Sequence, residues 1–205
     1  MKPRASYLFV KRLFDIIFSS FGLMILSPVI IVIALLIKKE DGGTICYHGM
    51  RVGMNGSLFK MLKFRTMVVN ADKIGGPSTS DDDPRLLKIG KLLRKFKLDE
   101  LPQLINVLKG EMSFVGPRPE VSFYVNMFTS EEKVILSVKP GITDWASLWN
   151  SDEGSILAGS SDPEKTYMEK IRPEKIRLQL KYVKKHNFWI DLMIIYQTIL
   201  RILKG

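Results

Sequence analysis

Cysteine is nearly absent from this 205-residue chain: Cys46 stands alone, so no internal disulfide framework can form. Histidine is almost as scarce. With only His48 and His186 there is no ligand spacing for a structural zinc. If a metal is used, hard Mg²⁺ on carboxylate and phosphate oxygens is the kind that suits the residues present. Acids are also in deficit, 21 Asp and Glu against 31 Lys and Arg, for a formal net charge of +10 and a pI near 9.6. Such an excess suits an anionic partner: nucleic acid, an anionic membrane or a phosphorylated substrate. Composition does not choose among the three. No internal repeat is present, and the length fits one principal domain with an appendage.

Charge itself is missing from Ile16 to Ile37, a run of 22 residues. As one straight helix it would reach about 33 Å, enough for a hydrocarbon core of about 30 Å. A spanning helix is the simplest reading, but Ser27-Pro28 sits near its middle. Proline there removes the bond to the Met24 carbonyl and disfavours helical ψ at Ser27, so a sharp bend is expected. Basic residues flank both sides, Lys2, Arg4, Lys11 and Arg12 before and Lys38 and Lys39 after, which draws both ends to the cytoplasmic face. A re-entrant hairpin satisfies both demands, provided the freed carbonyl finds a partner such as the Ser27 hydroxyl. Residues 1–40 are therefore expected to associate with the membrane, and 41–205 to form a cytoplasmic domain.

After Gly42-Gly43 the pattern turns to strands: Ile45 to Tyr47, a tight turn at Asn55-Gly56, then Leu58 to Thr66. Lys63 and Arg65 lie opposite Leu62 and Phe64, as solvated alternation or as a pair able to bind phosphate. Asn70 to Asp83 reads as a loop whose acids, Asp81-Asp82-Asp83, cap a helix over about Pro84–Lys95 rather than bind metal. The basic face of that helix, which includes Arg94, leads straight into Asp99-Glu100.

From Arg85 to Lys97 there are six cations and no acid, and then Asp99 and Glu100 come side by side. The field of that run would hold both ionised and attract anions. Leu101, Leu104, Ile105 and Leu108 predict one buried helical face, with Pro102 in the first turn and Gly110 as the stop. Locally the acid pair is explained by helix capping. A capped carboxylate is also a fixed carboxylate, so chemistry stays open.

Further on, Pro117 and Pro119 stiffen the backbone around Arg118, lowering the entropy cost of presenting its guanidinium to an anion. An incidental arginine in a rigid turn is the alternative. The chain from Pro173 reads as helix, and Phe188 to Leu203 is apolar but too short and too polar to span. It suits either the membrane interface or the core.

Taken together, Lys11-Arg12-Leu13-Phe14-Asp15, Ser27-Pro28, Lys63-Phe64-Arg65-Thr66-Met67, Leu98-Asp99-Glu100-Leu101-Pro102-Gln103-Leu104, Asn106-Val107-Leu108-Lys109-Gly110 and Phe114-Val115-Gly116-Pro117-Arg118-Pro119 resemble the bacterial sugar transferase family. These are monotopic polyprenyl-phosphate phosphoglycosyl transferases of the bacterial inner membrane. The match runs in order from about Lys11 to Thr143 and resumes weakly near Asp191. The resemblance implies transfer of a sugar 1-phosphate from a UDP-sugar to polyprenyl (undecaprenyl) phosphate, releasing UMP and starting a surface polysaccharide that downstream glycosyltransferases extend. It also implies that Asp99 attacks the β-phosphate and holds the phosphosugar covalently, that Glu100 assists as base or metal ligand, and that Mg²⁺ is required. The chain departs from the family at Asp144-Trp145, where a glycine commonly follows Pro-Gly-Ile-Thr, and at Gly49, where glutamine is common.

The expected fold is thus a helix-rich α+β domain with a small antiparallel β element, interfacial amphipathic helices and an N-terminal re-entrant membrane helix broken at Ser27-Pro28. The expected site joins Asp99 and Glu100, as catalytic and metal-binding groups, to Lys63, Arg65, Arg85, Arg94 and the Pro117-Arg118-Pro119 turn. A non-catalytic rival, a basic membrane-surface module that recruits a glycan assembly complex, would leave the acid pair as a cap only. Nucleic-acid binding leaves the 22-residue apolar run without a purpose.

Overall fold

The computed structural model describes residues 5–74, 83–150, 156–157 and 159–204. It opens with one long helix, α1 (Ala5–Asp41), which continues through Pro28. The expected break does not interrupt it. The Met24 carbonyl that proline leaves without an N–H accepts the Ser27 hydroxyl at 2.8 Å instead, so the lost backbone bond is replaced locally. The apolar side chains of α1 face outward over most of its length: Phe9, Ile17, Phe21, Met24, Ile25, Ile31, Val32 and Leu35 are all more than half exposed.

Both ends of α1 are fastened to the rest of the chain. Near its start, Lys11 pairs with Asp191 at 2.6 Å, Arg12 donates to the carbonyls of Val107 and Leu108, and Asp15 accepts from Ser113 Oγ and Phe114 N. Near its end, Ile33 and Ile37 are buried against Phe64 and Leu93, and Asp41 receives the Arg65 guanidinium. Between these anchors, Met24 to Val29 form its most exposed stretch, with only Leu26 partly covered.

The predicted hairpin is present and longer than expected at its first strand: β1 (Cys46–Val52) pairs antiparallel with β2 (Leu58–Phe64) around Asn55 in the left-handed region. The helix expected from Pro84 begins later, as α2 (Lys88–Lys95). Its first amides are capped from a distance, Glu40 of α1 accepting from Lys88 N and Ile89 N. Asp83 does not cap it but grips Arg85, while Asp81 and Asp82 lie outside the described residues.

A single 3₁₀ turn, Leu98–Glu100, precedes α3 (Gln103–Lys109), and Gly110 ends α3 at φ 85°, a conformation that favours glycine. The buried face of α3 is Gln103, Leu104, Asn106 and Val107, whereas Ile105 and Leu108 are exposed. The apolar spacing misplaced that face because Asn106 is recruited inward to the hairpin. Its amide accepts from Leu62 N and donates to Lys60 O, satisfying strand groups that a leucine could not.

A parallel pair, β3 (Ser113–Val115) and β4 (Gly141–Thr143), follows, with the short α4 (Ser122–Val125) and a 3₁₀ segment, Glu132–Ser137, between its strands. Among the described residues the helices that follow are α5 (Trp145–Trp149), α6 (Pro163–Thr166), α7 (Arg172–Lys185), entered through a π turn, and α8 (Phe188–Lys204). The architecture is a helix-rich α+β fold with two small sheets. α8 packs on the core along one face and leaves the other exposed. Asp191 and Ile194 are buried against Tyr182 and Val115, while Trp189, Tyr196, Ile199 and Leu203 are exposed.

Candidate active site

Asp99 and Glu100 close the 3₁₀ turn that leads into α3, and Lys97 in the left-handed region sets their direction. Among the described residues neither carboxylate accepts a backbone N–H, so the capping explanation fails: both face cations instead. Lys63 Nζ, from β2, lies 2.9 Å from Glu100 Oε1 and 3.4 Å from Asp99 Oδ2. Arg118 forks onto Glu100, its Nη1 at 3.2 Å from Oε2 and its Nη2 bonded to Oε1. Two carboxylates thus meet two cations in a site where Asp99 is 6% exposed.

The two acids differ in what holds them. Burial by itself would raise the Glu100 pKa, but the charges of Arg118 and Lys63 and their hydrogen bonds outweigh it and hold the carboxyl well below the usual range. Glu100 is therefore a committed anion and a weak proton acceptor. Asp99, whose one ion pair among the described residues is the long one to Lys63, keeps lone pairs available for bond formation.

Arg118 is positioned from three elements. Pro117 and Pro119 are buried on either side of it, its backbone N–H donates to Asp144 Oδ2 at 3.3 Å, and its carbonyl accepts from Gln179 Nε2 at 3.3 Å. Asp144 is fully buried and also caps α5 through Ser147 N. The parallel β3–β4 pair explains this convergence, because residues just beyond the ends of two neighbouring parallel strands emerge side by side. Sequence reasoning missed Asp144 and Gln179 as supports. The capping pattern of Asp144 before Trp145 was legible, whereas Gln179 is one polar residue among many in α7.

The other expected site residues are elsewhere. Arg65 is 5% exposed and spends its guanidinium on Asp41, Thr44 O and Met67 O, so it locks the end of α1 to the hairpin rather than facing Asp99. It misled because β2 ends at Phe64, and the alternation that would align Arg65 with Lys63 stops one residue short. Arg85 is paired with Asp83 and the Ala71 carbonyl. Arg94 makes no ion pair among the described residues, and its charge acts on Asp83. Ser27 and Pro28 lie together on the exposed middle of α1.

For a hard divalent cation the donor set fits. Asp99 and Glu100 offer adjacent carboxylate oxygens, and the long Lys63 contact leaves Asp99 open. No group of three acid, His or Cys ligands occurs among the described residues, so such an ion would fill its shell from phosphate oxygens and water.

Comparison with known proteins agrees with this geometry. The family model described as Bacterial sugar transferase matches residues 6–205. The chain is 35% identical over 99% of its length to a UDP-N-acetylgalactosamine-undecaprenyl-phosphate N-acetylgalactosaminephosphotransferase of Aeromonas hydrophila. It is 35% identical over 92% of its length to the exopolysaccharide production protein ExoY of Sinorhizobium fredii, and 37% over 94% to a UDP-glucose:undecaprenyl-phosphate glucose-1-phosphate transferase of Escherichia coli. It spans 46% of the first, 83% of the second and 40% of the third. A match over almost the whole chain, on a fold that gathers Lys63, Asp99, Glu100 and Arg118, assigns the protein to the bacterial sugar transferase family.

Proposed function

We propose that this chain is a phosphoglycosyl transferase that moves a sugar 1-phosphate from a UDP-sugar to polyprenyl phosphate, with Asp99 as nucleophile. The observation that carries the reading is the acid pair itself: adjacent carboxylates, uncapped, with one tied to Arg118 and Lys63 and the other left reactive. An anionic carboxylate approaches a diphosphate only where cations offset the repulsion, and Lys63 and Arg118 supply that charge.

In the first step an Asp99 oxygen bonds to the β-phosphorus while the bond from that phosphorus to the bridging oxygen breaks. UMP leaves with that oxygen, and the sugar phosphate stays on Asp99. In the second step a phosphate oxygen of the lipid bonds to the same phosphorus and the Asp99–phosphorus bond breaks, restoring the carboxylate. Glu100 keeps Lys63 and Arg118 in place through both steps, a role that suits its depressed pKa better than proton transfer. Asp99 and Glu100 would also hold Mg²⁺, which when bound supplies further neutralisation of phosphate charge.

Attachment to the membrane follows from α1. A spanning helix would carry its start to the far side of the bilayer, yet Lys11, Arg12 and Asp15 bind the same body as Ile37 and Asp41. The exposed apolar middle of α1, around Ser27-Pro28, is then the part that dips into the near leaflet without crossing it, and α8 adds Trp189, Tyr196 and Leu203 at the interface. On this reading the protein is monotopic, and the basic residues flanking the apolar run, Lys11, Arg12, Lys38 and Lys39, favour the cytoplasmic face of the bacterial inner membrane for residues 41–205, beside the phosphate of the lipid acceptor.

Incubating the purified protein with a panel of UDP-sugars, polyprenyl phosphate and Mg²⁺ tests the activity by release of UMP. Without lipid, intact-protein mass spectrometry should show the wild type gaining one sugar phosphate and Asp99→Asn gaining none. An Asp99→Asn protein with full activity would return the pair to a structural role and leave the basic membrane module as the better reading.

A further inference from the structure

The β1–β2 hairpin carries a second cation toward the site that the acid pair does not use. The register sets Tyr47 opposite Lys63, Gly49 opposite Met61 and Arg51 opposite Phe59. Alternation therefore puts Tyr47, Gly49 and Arg51 on the hairpin face from which Lys63 reaches Asp99 and Glu100. Arg51 does not extend away from that site. A Cβ added to Gly49 would meet Arg51 Nη1 at 3.1 Å and Tyr47 Cε1 at 3.0 Å, so the guanidinium folds back along the strand over the space that glycine leaves. It lies over the pair next to Tyr47–Lys63, a displacement of two residues or about 7 Å along the strand.

What Arg51 touches there is less than a guanidinium requires. Its one hydrogen bond among the described residues is from Nη1 to the Met50 carbonyl at 3.0 Å. By contrast Arg12, Arg65 and Arg85 spend their donors on carbonyls or carboxylates. The acid whose charge acts on Arg51 is already taken: Glu120, whose carbonyl binds Val52 N, pairs with Lys175 at 2.5 Å and accepts from the Tyr167 hydroxyl. Lys63 and Arg118 balance Asp99 and Glu100, and Lys175 balances Glu120, so among the described residues Arg51 is a surplus positive charge. Burial and the like charge of Arg118 lower its pKa, and Tyr47 and Glu120 offset only part of that. A guanidinium stays charged regardless, so an arriving anion relieves the cost.

We infer that Arg51, seated over Gly49, binds a phosphate oxygen of a substrate beside Lys63 and Arg118. The inference rests on the phosphoglycosyl transferase reading for its two sources, the diphosphate of the UDP-sugar and the phosphate of the polyprenyl acceptor. Gly49 acts as a positioning residue, because any side chain there competes with the guanidinium for the same space. The neighbours displaced would be the ends of flexible side chains, so Gly49→Ala folds while moving Arg51.

Arg51→Gln, Arg51→Lys and Gly49→Ala decide this in three readouts. Loss of a charge-assisted bond to phosphate should raise the KM of the substrate concerned about tenfold to a hundredfold in Arg51→Gln, with kcat changed less than about threefold. Arg51→Lys and Gly49→Ala should fall between it and the wild type. If half-maximal formation of the Asp99 adduct without lipid needs more donor, the diphosphate is the ligand. If the adduct forms normally and only the KM for polyprenyl phosphate rises, the acceptor is. Calorimetric titration with UDP supplies a readout that needs no turnover. Should the wild type prove inert with every sugar while UDP binding still weakens in Arg51→Gln, the transferase reading fails and the phosphate site stands. Unchanged KM values for both substrates together with unchanged UDP binding, or no UDP binding and no activity in any variant, would overturn the assignment.

Discussion

Glu100 and Asp99 are neighbours in the chain with opposite circumstances. Arg118 and Lys63 hold the Glu100 carboxyl below its unfolded value, so the pairing contributes stability that is complete above the unfolded pKa of about 4.3. That contribution is lost as pH falls through the depressed folded value. Arg118→Gln removes the first of the two charges and brings the folded value back up. Its acid unfolding, followed by circular dichroism, should therefore begin at higher pH than that of the wild type, and its UMP release should fall steeply at neutral pH. Arg118→Lys keeps the charge but loses the fork onto Glu100, so transfer should drop while the acid limb moves less. The acid pair and Arg118 were legible from the sequence because a carboxylate after a cationic run and an arginine between prolines are local signals. Lys63, Asp99 and Glu100 meet as expected, whereas Arg65 and Arg85 do not, since each finds a carboxylate closer to home in Asp41 or Asp83.

Among the elements, α1 is the one whose anchoring matters most for placing the site. Asp191 of α8, 4% exposed, accepts from Tyr7, Lys11 and Tyr182, and Lys11 also donates to the Val115 carbonyl, two residues before Pro117. Asp15 fixes Ser113 and Phe114 of the same strand. The apolar helix, β3 and the Arg118 turn are thereby one mechanical unit. Asp191→Asn keeps the shape but leaves the Lys11 ammonium without its counter-charge, which should cost about 3 kcal/mol, at the lower end for breaking a buried ion pair because Lys11 is partly solvated. Chemical denaturation in detergent would measure it. A smaller loss, about 1–2 kcal/mol, is expected for Asp41→Asn, since Asp41 faces solvent while the Arg65 it serves does not.

For the whole molecule the testable statement is topological. With both ends of α1 on the same body, cysteines placed at the exposed Ser6 and Lys39 should react with a membrane-impermeant reagent from the cytoplasmic side only. Labelling of Ser6→Cys from the periplasmic side would establish a spanning helix instead. Exchanging Ser27-Pro28 for Ala-Leu restores the N–H to the Met24 carbonyl and removes the Ser27 substitute for it, which makes the middle of the helix stiffer. A fraction of that variant should then span, with lower UMP release, because a spanning α1 would pull Lys11 and Asp15 off β3.

Local chemistry in the sequence was enough to determine the membrane-length apolar run, the hairpin turn at Asn55-Gly56, the end of α3 at Gly110 and the adjacency of Asp99 and Glu100. Each depends on composition or backbone preference within a few residues, which tertiary context did not override. Only the tertiary structure decided that the acids face Lys63 and Arg118 instead of capping a helix, that Asn106 turns inward, and that Glu40 caps α2 from the far end of α1. It also decided that Asp144 and Gln179 brace Arg118, and that Arg51 folds over Gly49. These depend on partners distant in sequence, and a polar side chain goes to whichever satisfied arrangement the packing brings within hydrogen-bond reach.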